Sequence, residues 1–201
     1  MKVSRWFSLA LVAMFAVTAV SAGEQKSAQS PPMDKKAMME AYAKLSTPGE
    51  GHKMLEPIIG SWNVVVKSYM QPGAPAMESS GTSEHQWVLG GRYVEQRFDG
   101  SFMDQKFHGI GYSGYDNTKK EYFSTWMDSM STGVMVATGK GKEKERGIEL
   151  TGTMEDPFQG TMQITEKLKI VDNDHHTFEM WTPGPDGKPF MMMEIAYKRK
   201  K

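Results

Sequence analysis

The spacing of apolar residues changes once along this chain, near Trp62. Between Asp34 and Leu45 the apolar residues lie near helical spacing and predict a short helix. His52–Ile59 predicts one or two further helical turns. From Trp62 onward the period is two, which is typical of strands with one buried face. We therefore predict a short helical segment followed by a β-rich domain.

Short alternating segments and turn residues follow each other through that domain. In Phe107–Gly133, two aromatic and β-branched segments flank the polar turn Asp116–Lys120 and predict a β-hairpin. Strands are predicted near Ser61–Tyr69, Glu78–Val88, Arg92–Phe98, Lys106–Tyr115, Glu121–Asp128, Val134–Gly139, Gly147–Met154, Thr161–Val171, His176–Thr182 and Phe190–Lys198. Turns are predicted at Gln71–Gly73, Gly90–Gly91, Asp99–Gly100, Asp172–Asp174 and Pro183–Pro189. About ten strands can close a barrel, so we predict an all-β, antiparallel up-and-down barrel, with a sandwich as the alternative.

The first 22 residues have the features of a signal peptide. Lys2 and Arg5 precede an apolar run, and small residues at Val20–Ala22 predict cleavage after Ala22. The alternative is a membrane anchor, but the run is shorter than the ~20 apolar residues that span a bilayer. We therefore predict a signal peptide over 1–22, a linker and short helix over 23–48, and the barrel domain over 49–201. The protein is expected in the periplasm or outside the cell.

Composition excludes several functions. The formal net charge is zero, so the chain lacks the excess of basic residues typical of a nucleic-acid-binding protein. It contains no cysteine, which excludes disulfides, thiol catalysis, Cys-ligated zinc and lipidation of an N-terminal Cys. No stable membrane insertion is expected after signal cleavage, and stability must come from packing.

Two distant segments indicate how the barrel closes. Gly60 and Trp62 open the first predicted strand, and Arg199 ends the last. In a closed up-and-down barrel those strands are neighbours, so the Trp62 indole under the Arg199 guanidinium would seal one end, with a cation–π contact worth about 1 kcal/mol. This Gly-x-Trp with a late Arg resembles the signature of lipocalins and calycins.

Longer blocks resemble a bacterial family known as domain of unknown function 1579. Its opening block is similar to His52–Trp62 (HKMLEPIIGSW), and its second to Leu89–Val94 (LGGRYV). A third block is similar to Gly109–Asp116 (GIGYSGYD) together with Ser124–Ser129 (STWMDS). The resemblance covers about His52–Arg199. It implies a lipocalin-like barrel and frequent export, but no activity and no catalytic residues.

The histidines do not predict a metal site. All of them are His52, His85, His108, His175 and His176. Adjacent strand residues point to opposite faces, so His175 and His176 cannot bind one metal ion together. His85 and His108 lie on different predicted strands, and they could share a metal ion only if both pointed into the barrel. Haem would depend on His108. We predict surface or hydrogen-bonded histidines, no metal and no cofactor.

Methionine is frequent, with 18 residues in the sequence. Exported Met-rich proteins can bind Cu(I), and Met191 and Met193 would share a strand face, with Met127 as a further candidate. The interpretation that we favour is an irregular core or an adaptable apolar cavity.

Two groups of residues are candidates for ligand binding. The strand around Arg92 and Arg97 could place charges over a ligand carboxylate, although a solvated outer face is the favoured interpretation. Tyr112, Trp126 and Asp128 could line a pocket. Tyr122, Ser124, Trp126 and Asp128 share one strand face, but the sequence does not decide whether it points inward.

We therefore predict an exported barrel that binds a small apolar or amphipathic ligand. Arg92, Arg97, His108 or Tyr112 would fix a polar head. The alternatives are an enzyme on the same barrel, with His108 or Asp128 as general base, and an interaction module that uses loops Gln71–Ala76 or Pro183–Pro189. No catalytic residue is assigned, so enzymatic activity is uncertain and the binder is favoured.

Overall fold

A computed structural model describes residues 34–201; the predicted signal peptide and residues 23–33 of the predicted linker lie outside the described residues. The predicted short helix is present as α1, Lys35–Ser46, and begins after Asp34, whose carboxylate accepts a hydrogen bond from the Lys36 amide. α1 buries none of its residues. No helix within residues 34–201 is long and apolar enough to span a membrane.

The predicted barrel is confirmed. Ten antiparallel strands form a closed barrel in which each strand pairs with its neighbour in sequence, and β1 pairs with β10. The strands are β1 Gly60–Ser68, β2 Met77–Val88, β3 Tyr93–Phe102, β4 Gln105–Asp116, β5 Glu121–Asp128, β6 Met135–Lys142, β7 Gly147–Asp156, β8 Gly160–Ile170, β9 His175–Pro183 and β10 Pro189–Arg199.

The third strand is longer than predicted. The expected turn at Asp99–Gly100 is wrong, since β3 continues to Phe102 and turns at Met103–Asp104, both of which have positive φ. Gly100 is needed for packing instead. A Cβ at Gly100 would lie 2.7 Å from the ring of Phe98, so the glycine makes room for that ring inside the barrel.

One end of the barrel is sealed. A short helix, α2 (Glu50–Lys53), and a 3-10 turn at Glu56–Ile58 lie across it, and Leu55 and Ile58 join the buried core. The Trp62 indole is fully buried and donates a hydrogen bond to the Ile58 carbonyl at 2.9 Å. The Arg199 guanidinium lies 4.1 Å from the centroid of the Trp62 ring. We call this the sealed end.

The Arg199 guanidinium also ties β10 to the segment that precedes β1. It donates hydrogen bonds to the carbonyls of Ile59, at 2.6 Å, and Pro57, at 3.0 Å. Gly60 has a φ of 127°, and a Cβ there would overlap the guanidinium. The glycine therefore permits both the backbone conformation and the close approach of Arg199.

Candidate ligand site in the barrel interior

The strand register assigns the inner face. Trp62 and Val64 are buried and lie opposite Arg199 and Tyr197, whereas Asn63 between them and Val65 after them are exposed. Following this alternation around the barrel places the face of β5 that carries Ser124 and Trp126 inward. The question that the sequence left open is thereby decided.

Among residues 34–201, only the hairpin connections border the end opposite the seal, and we call it the mouth. Side chains there belong to the inner face yet remain half-exposed. They are Phe107, Trp126, Met135, Met154, Met162 and Met193. Half-exposure of these apolar side chains shows that the inner face is accessible to solvent at this end.

Aromatic side chains form one wall of the mouth. The rings of Phe98 and Phe107 are 5.9 Å apart, and Trp126 packs against the same cluster. The indole lies over Gly109, where a Cβ would overlap it. Its Nε1 donates to the Asp128 carboxylate at 3.0 Å. The Trp126 ring is therefore held in one orientation at the entrance.

Methionines form the other wall. Met154 on β7 lies opposite Met162 on β8, and Met135 lies opposite Trp126. Thioether side chains are flexible and adapt to irregular apolar shapes. This wall can therefore adapt its shape to an apolar neighbour.

The expectation that Met191 and Met193 share a face is wrong. Their register shifts at a β-bulge, so Met191 lies opposite Trp181 and Met193 opposite Met180. Met180 is buried on the inner face, and Met191 lies on the outer one. Met127 is also on the outer face. The three proposed copper ligands are therefore not brought together.

A carboxylic acid lies deep in the interior. Glu166 on β8 is 3% exposed, and its Oε2 accepts a hydrogen bond from the Ser124 hydroxyl on β5 at 2.6 Å. The inner face between them carries the small residues Ala137 and Gly152, which leave room for this contact across two strands. Burial raises the pKa of Glu166, and the hydrogen bond from Ser124 acts in the opposite direction.

Glu166 is a site residue that the sequence interpretation missed. The signal was present, because it occupies the middle of the run Met162, Ile164, Glu166, Leu168 and Ile170, which otherwise repeats apolar residues at a period of two. A charged residue in the buried phase of a strand is uncommon, and its presence indicates a special environment.

Two histidines lie near the sealed end. His85 is 4% exposed and His176 is 2% exposed, with ring centroids 5.7 Å apart. The Nδ1 atoms of both lack a hydrogen-bond partner among residues 34–201. Burial lowers the pKa of His85 to about 4 and the pKa of His176 to about 3. Both rings are therefore neutral near pH 7.

A meeting of His85 with His108 inside the barrel, the alternative to the favoured interpretation of isolated histidines, does not occur. His108 lies on the outer face, where its Nδ1 contacts the Asp99 carboxylate. His175 and His176 point to opposite faces, as predicted, since His175 is exposed while His176 is buried. Within residues 34–201 no three His, Asp or Glu side chains are grouped to hold a metal ion.

Two further predicted residues lie on the outer face. The Tyr112 hydroxyl donates to Glu95 Oε2 at 2.9 Å, and Arg97 Nε donates to Glu95 Oε1 at 2.7 Å. These hydrogen bonds, that from Arg97 first, lower the pKa of Glu95. The arrangement matches the outer-face interpretation of this strand, and it excludes Arg97 and Tyr112 from the interior.

The six predicted ligand-binding residues therefore do not form one site. Arg92 lies at the β2–β3 turn, where its guanidinium donates to the Leu89 carbonyl at 2.9 Å, and it borders a surface cleft of about 280 Å³. Only Trp126 and Asp128 of the six lie at the mouth. Of the two residues considered as alternative general bases for an enzyme, His108 lies on the outer face and Asp128 lies on the inner face at the mouth.

Exposed apolar side chains surround the mouth, and we call them the rim. They lie in the hairpin connections at this end and are Met70, Met103, Met130, Val134 and Phe158. Phe158 is 92% exposed. Both loops considered for an interaction module, Gln71–Ala76 and Pro183–Pro189, also border the mouth. Apolar exposure of this kind marks a surface that meets another apolar surface or ligand.

Comparisons with known proteins agree with the fold. A family model described as protein of unknown function (DUF1579) matches residues 47–199, most of the chain. A search of curated proteins gives no significant match.

Solved structures with this architecture share little sequence with the chain. Rv2717c from M. tuberculosis is 12% identical, with 77% of this chain and 100% of that chain covered and a TM-score of 0.51. The S-type phycobiliprotein lyase CPES from Guillardia theta is 11% identical, with 77% and 99% covered and a TM-score of 0.49. At 12% identity, the likeness to Rv2717c shows the barrel fold alone.

Proposed function

We propose that this chain, which belongs to the DUF1579 family of proteins of unknown function, binds a small apolar or amphipathic molecule inside its barrel. The half-exposed apolar inner face at the mouth carries this proposal. These side chains offer apolar surface that a bound molecule could cover. Since the other end is sealed by Trp62 and Arg199, the ligand enters through the mouth.

The walls indicate what kind of molecule fits. Binding sites for small molecules are mostly apolar and aromatic, with few polar groups that fix orientation. Here Phe107 and Trp126 supply aromatic surface, and Met154 and Met162 supply adaptable surface. Glu166 and Ser124 supply the polar groups below them.

Native mass spectrometry of the protein purified from its native host tests for a bound molecule. We expect an additional mass under native conditions that is lost on denaturation. The neutral fluorophore N-phenyl-1-naphthylamine, added to the protein after ligand removal, should gain fluorescence on entering the interior. A bare native mass together with no gain of fluorescence would contradict the proposal.

Adjacent residues on β7 offer a matched pair of variants. Met154 points into the mouth, and Thr153 points to solvent on the outer face. Met154→Arg places a long charged side chain in the entrance and should weaken fluorophore binding by about tenfold or more. Thr153→Arg adds the same charge outside and should leave binding unchanged. Equal affinities of the two variants, both folded, would exclude entry through the mouth.

Export is part of the same proposal. Its support is the basic start, the apolar run and the small residues at Val20–Ala22. The chain purified from the native host should begin at Gly23 when its N-terminus is sequenced. A chain that retains Lys2 and Arg5 and is recovered in the cytoplasmic fraction would contradict export.

A further inference from the structure

We propose that the ligand is a cationic amphiphile, an apolar body with a protonated amine, and that the Glu166 carboxylate inside the barrel receives the amine. This inference rests on the proposed function, because it specifies the chemistry of the molecule held in the interior. It starts from the buried carboxyl group and from the charges that the inner face does and does not carry.

Glu166 has unused hydrogen-bonding capacity. Its Oε2 accepts from Ser124, and its Oε1 has no hydrogen-bond or ion-pair partner among the described residues. A buried carboxylate is costly unless it is paired. The carboxyl group is held in place, because the Ser124 hydroxyl donates to it from β5, across two intervening strands. A ligand that donates hydrogen bonds would complete its coordination.

The distribution of charge on the inner face selects for a cation. Asp128 and Asp156 lie near the mouth. Asp128 accepts a hydrogen bond from the Met130 amide, and Asp156 accepts one from the Phe158 amide. Together with Glu166 they make the interior acidic above the sealed end. Acidic walls around an apolar site attract cations and repel anions.

The described cation on the inner face is remote from this acidic region. The Arg199 guanidinium is engaged at the sealed end by the carbonyls of Ile59 and Pro57. His85 and His176 are neutral near pH 7, because burial lowers their pKa values. No group that could neutralise a ligand carboxylate therefore faces the acidic region within residues 34–201. This excludes fatty acids and similar anions as the preferred ligands.

The positions of the apolar walls and of Glu166 along the barrel axis fit such a ligand. Trp126 and Met135 lie one strand repeat nearer the mouth than Ser124 and Ala137 on the same strands. An amine that reaches Glu166 would leave its apolar body between the aromatic and methionine walls. The ammonium group gains a charge-assisted hydrogen bond in a site of low polarity, and the body gains apolar contact.

Three molecules with one tail and different heads test the assignment. Dodecylamine, dodecanol and dodecanoic acid, each below its micellar concentration, would displace N-phenyl-1-naphthylamine from the full protein at neutral pH. We expect the amine to bind about tenfold or more tightly than the alcohol, and the acid to bind most weakly. An acid that binds as tightly as the amine overturns the inference without any variant.

Two variants test whether Glu166 causes the preference for the amine. Glu166→Gln keeps the shape and removes the charge, and it should reduce the preference for amine over alcohol to about equality. Glu149→Gln removes a carboxylate from the outer face of the adjacent strand and should retain the wild-type preference. If folded Glu166→Gln keeps the tenfold preference, the inference is wrong.

The proposed function and this inference fail in different ways. If the fluorophore does not bind, and none of the three molecules binds when measured directly by calorimetry, the barrel is not a receptor for apolar ligands. If all three bind without preference, the barrel is a receptor and the role of Glu166 is wrong. If Glu166→Gln does not fold, the ranking of the three molecules on the wild-type protein decides the question.

Discussion

Buried histidines make the stability of this barrel sensitive to acid. His176 stacks on the Tyr197 ring, with centroids 4.1 Å apart, and meets the edge of Trp62 at 4.3 Å. Protonating either His85 or His176 would place a positive charge beside Arg199 in a closed apolar environment. Burial, and to a smaller extent Arg199, therefore lowers the pKa of His85 to about 4.

His176→Phe should reduce the loss of stability in acid. The folded pKa values of about 4 and about 3 lie below the ordinary value of 6.5, so the unfolded chain takes up protons first. The free energy of unfolding therefore falls as the pH drops from about 6.5 toward those values. In His176→Phe the fall should be smaller by roughly 1–3 kcal/mol, measured by urea unfolding at several pH values.

The neighbouring residue provides the control for this experiment. His175 is exposed, so His175→Gln removes a histidine while leaving the buried His85 and His176 in place. Burial raises the pKa of Glu166, which opposes the histidine effect, but it does so equally in all three proteins. If the wild type and His176→Phe show the same slope between pH 4 and 6.5, His176 is not the acid-sensitive group.

Single residues differ in how far the sequence predicts their role. Gly60, Trp62 and Arg199 have a recognisable spacing, and the structure places the guanidinium over the indole. Glu166 stands out within its own strand, but its partner Ser124 does not. A period of two defines which residues share a face and does not define which face is buried, so contacts across the interior could not be predicted.

Among the elements, α1 is attached to the barrel by few contacts. Its described residues are all exposed, and its last turn is held by the Asn117 amide, which donates to the carbonyls of Leu45 and Thr47 at 2.9 Å each. The match to the family begins at residue 47, so α1 lies outside it. α1 is therefore an addition to the barrel and contributes little to its core.

Asn117→Ala should release α1 without unfolding the barrel. We expect faster amide hydrogen exchange over residues 35–47, and a free energy of unfolding that changes by less than about 1 kcal/mol. Asn63→Ala, at an exposed position on β1, should change neither quantity. Unchanged exchange in Asn117→Ala would show that other contacts hold the helix.

Element boundaries were predicted where turn residues and strand ends coincide. β5 has the expected bounds, because polar turn residues precede it and the alternation is regular. β3 was predicted too short, because Gly100 serves side-chain packing and its sequence resembles a turn. The bulge in β10 could not be predicted, since it depends on pairing with β9 and the run of methionines contains no residue that indicates it.

At the scale of the whole molecule, the two ends of the barrel have different chemistry. The sealed end is closed by hydrogen bonds from Arg199 and by the segment from α2 to Ile58. The mouth is bordered by the rim, whose exposed apolar side chains continue the apolar surface of the interior. The proposed ligand would thus meet apolar surface at the rim before it enters.

The pairing of β1 with β10 also has a consequence for the order in which the protein folds. Every other strand pair joins neighbours in sequence, so those hairpins can form locally and early. The contact between Arg199 and Ile59 joins residues 140 positions apart. Bringing them together costs more loop-closure entropy than closing a local hairpin does. We therefore expect an open, curved sheet with two unpaired edge strands to precede the closed barrel, and this species to be the one most prone to aggregate.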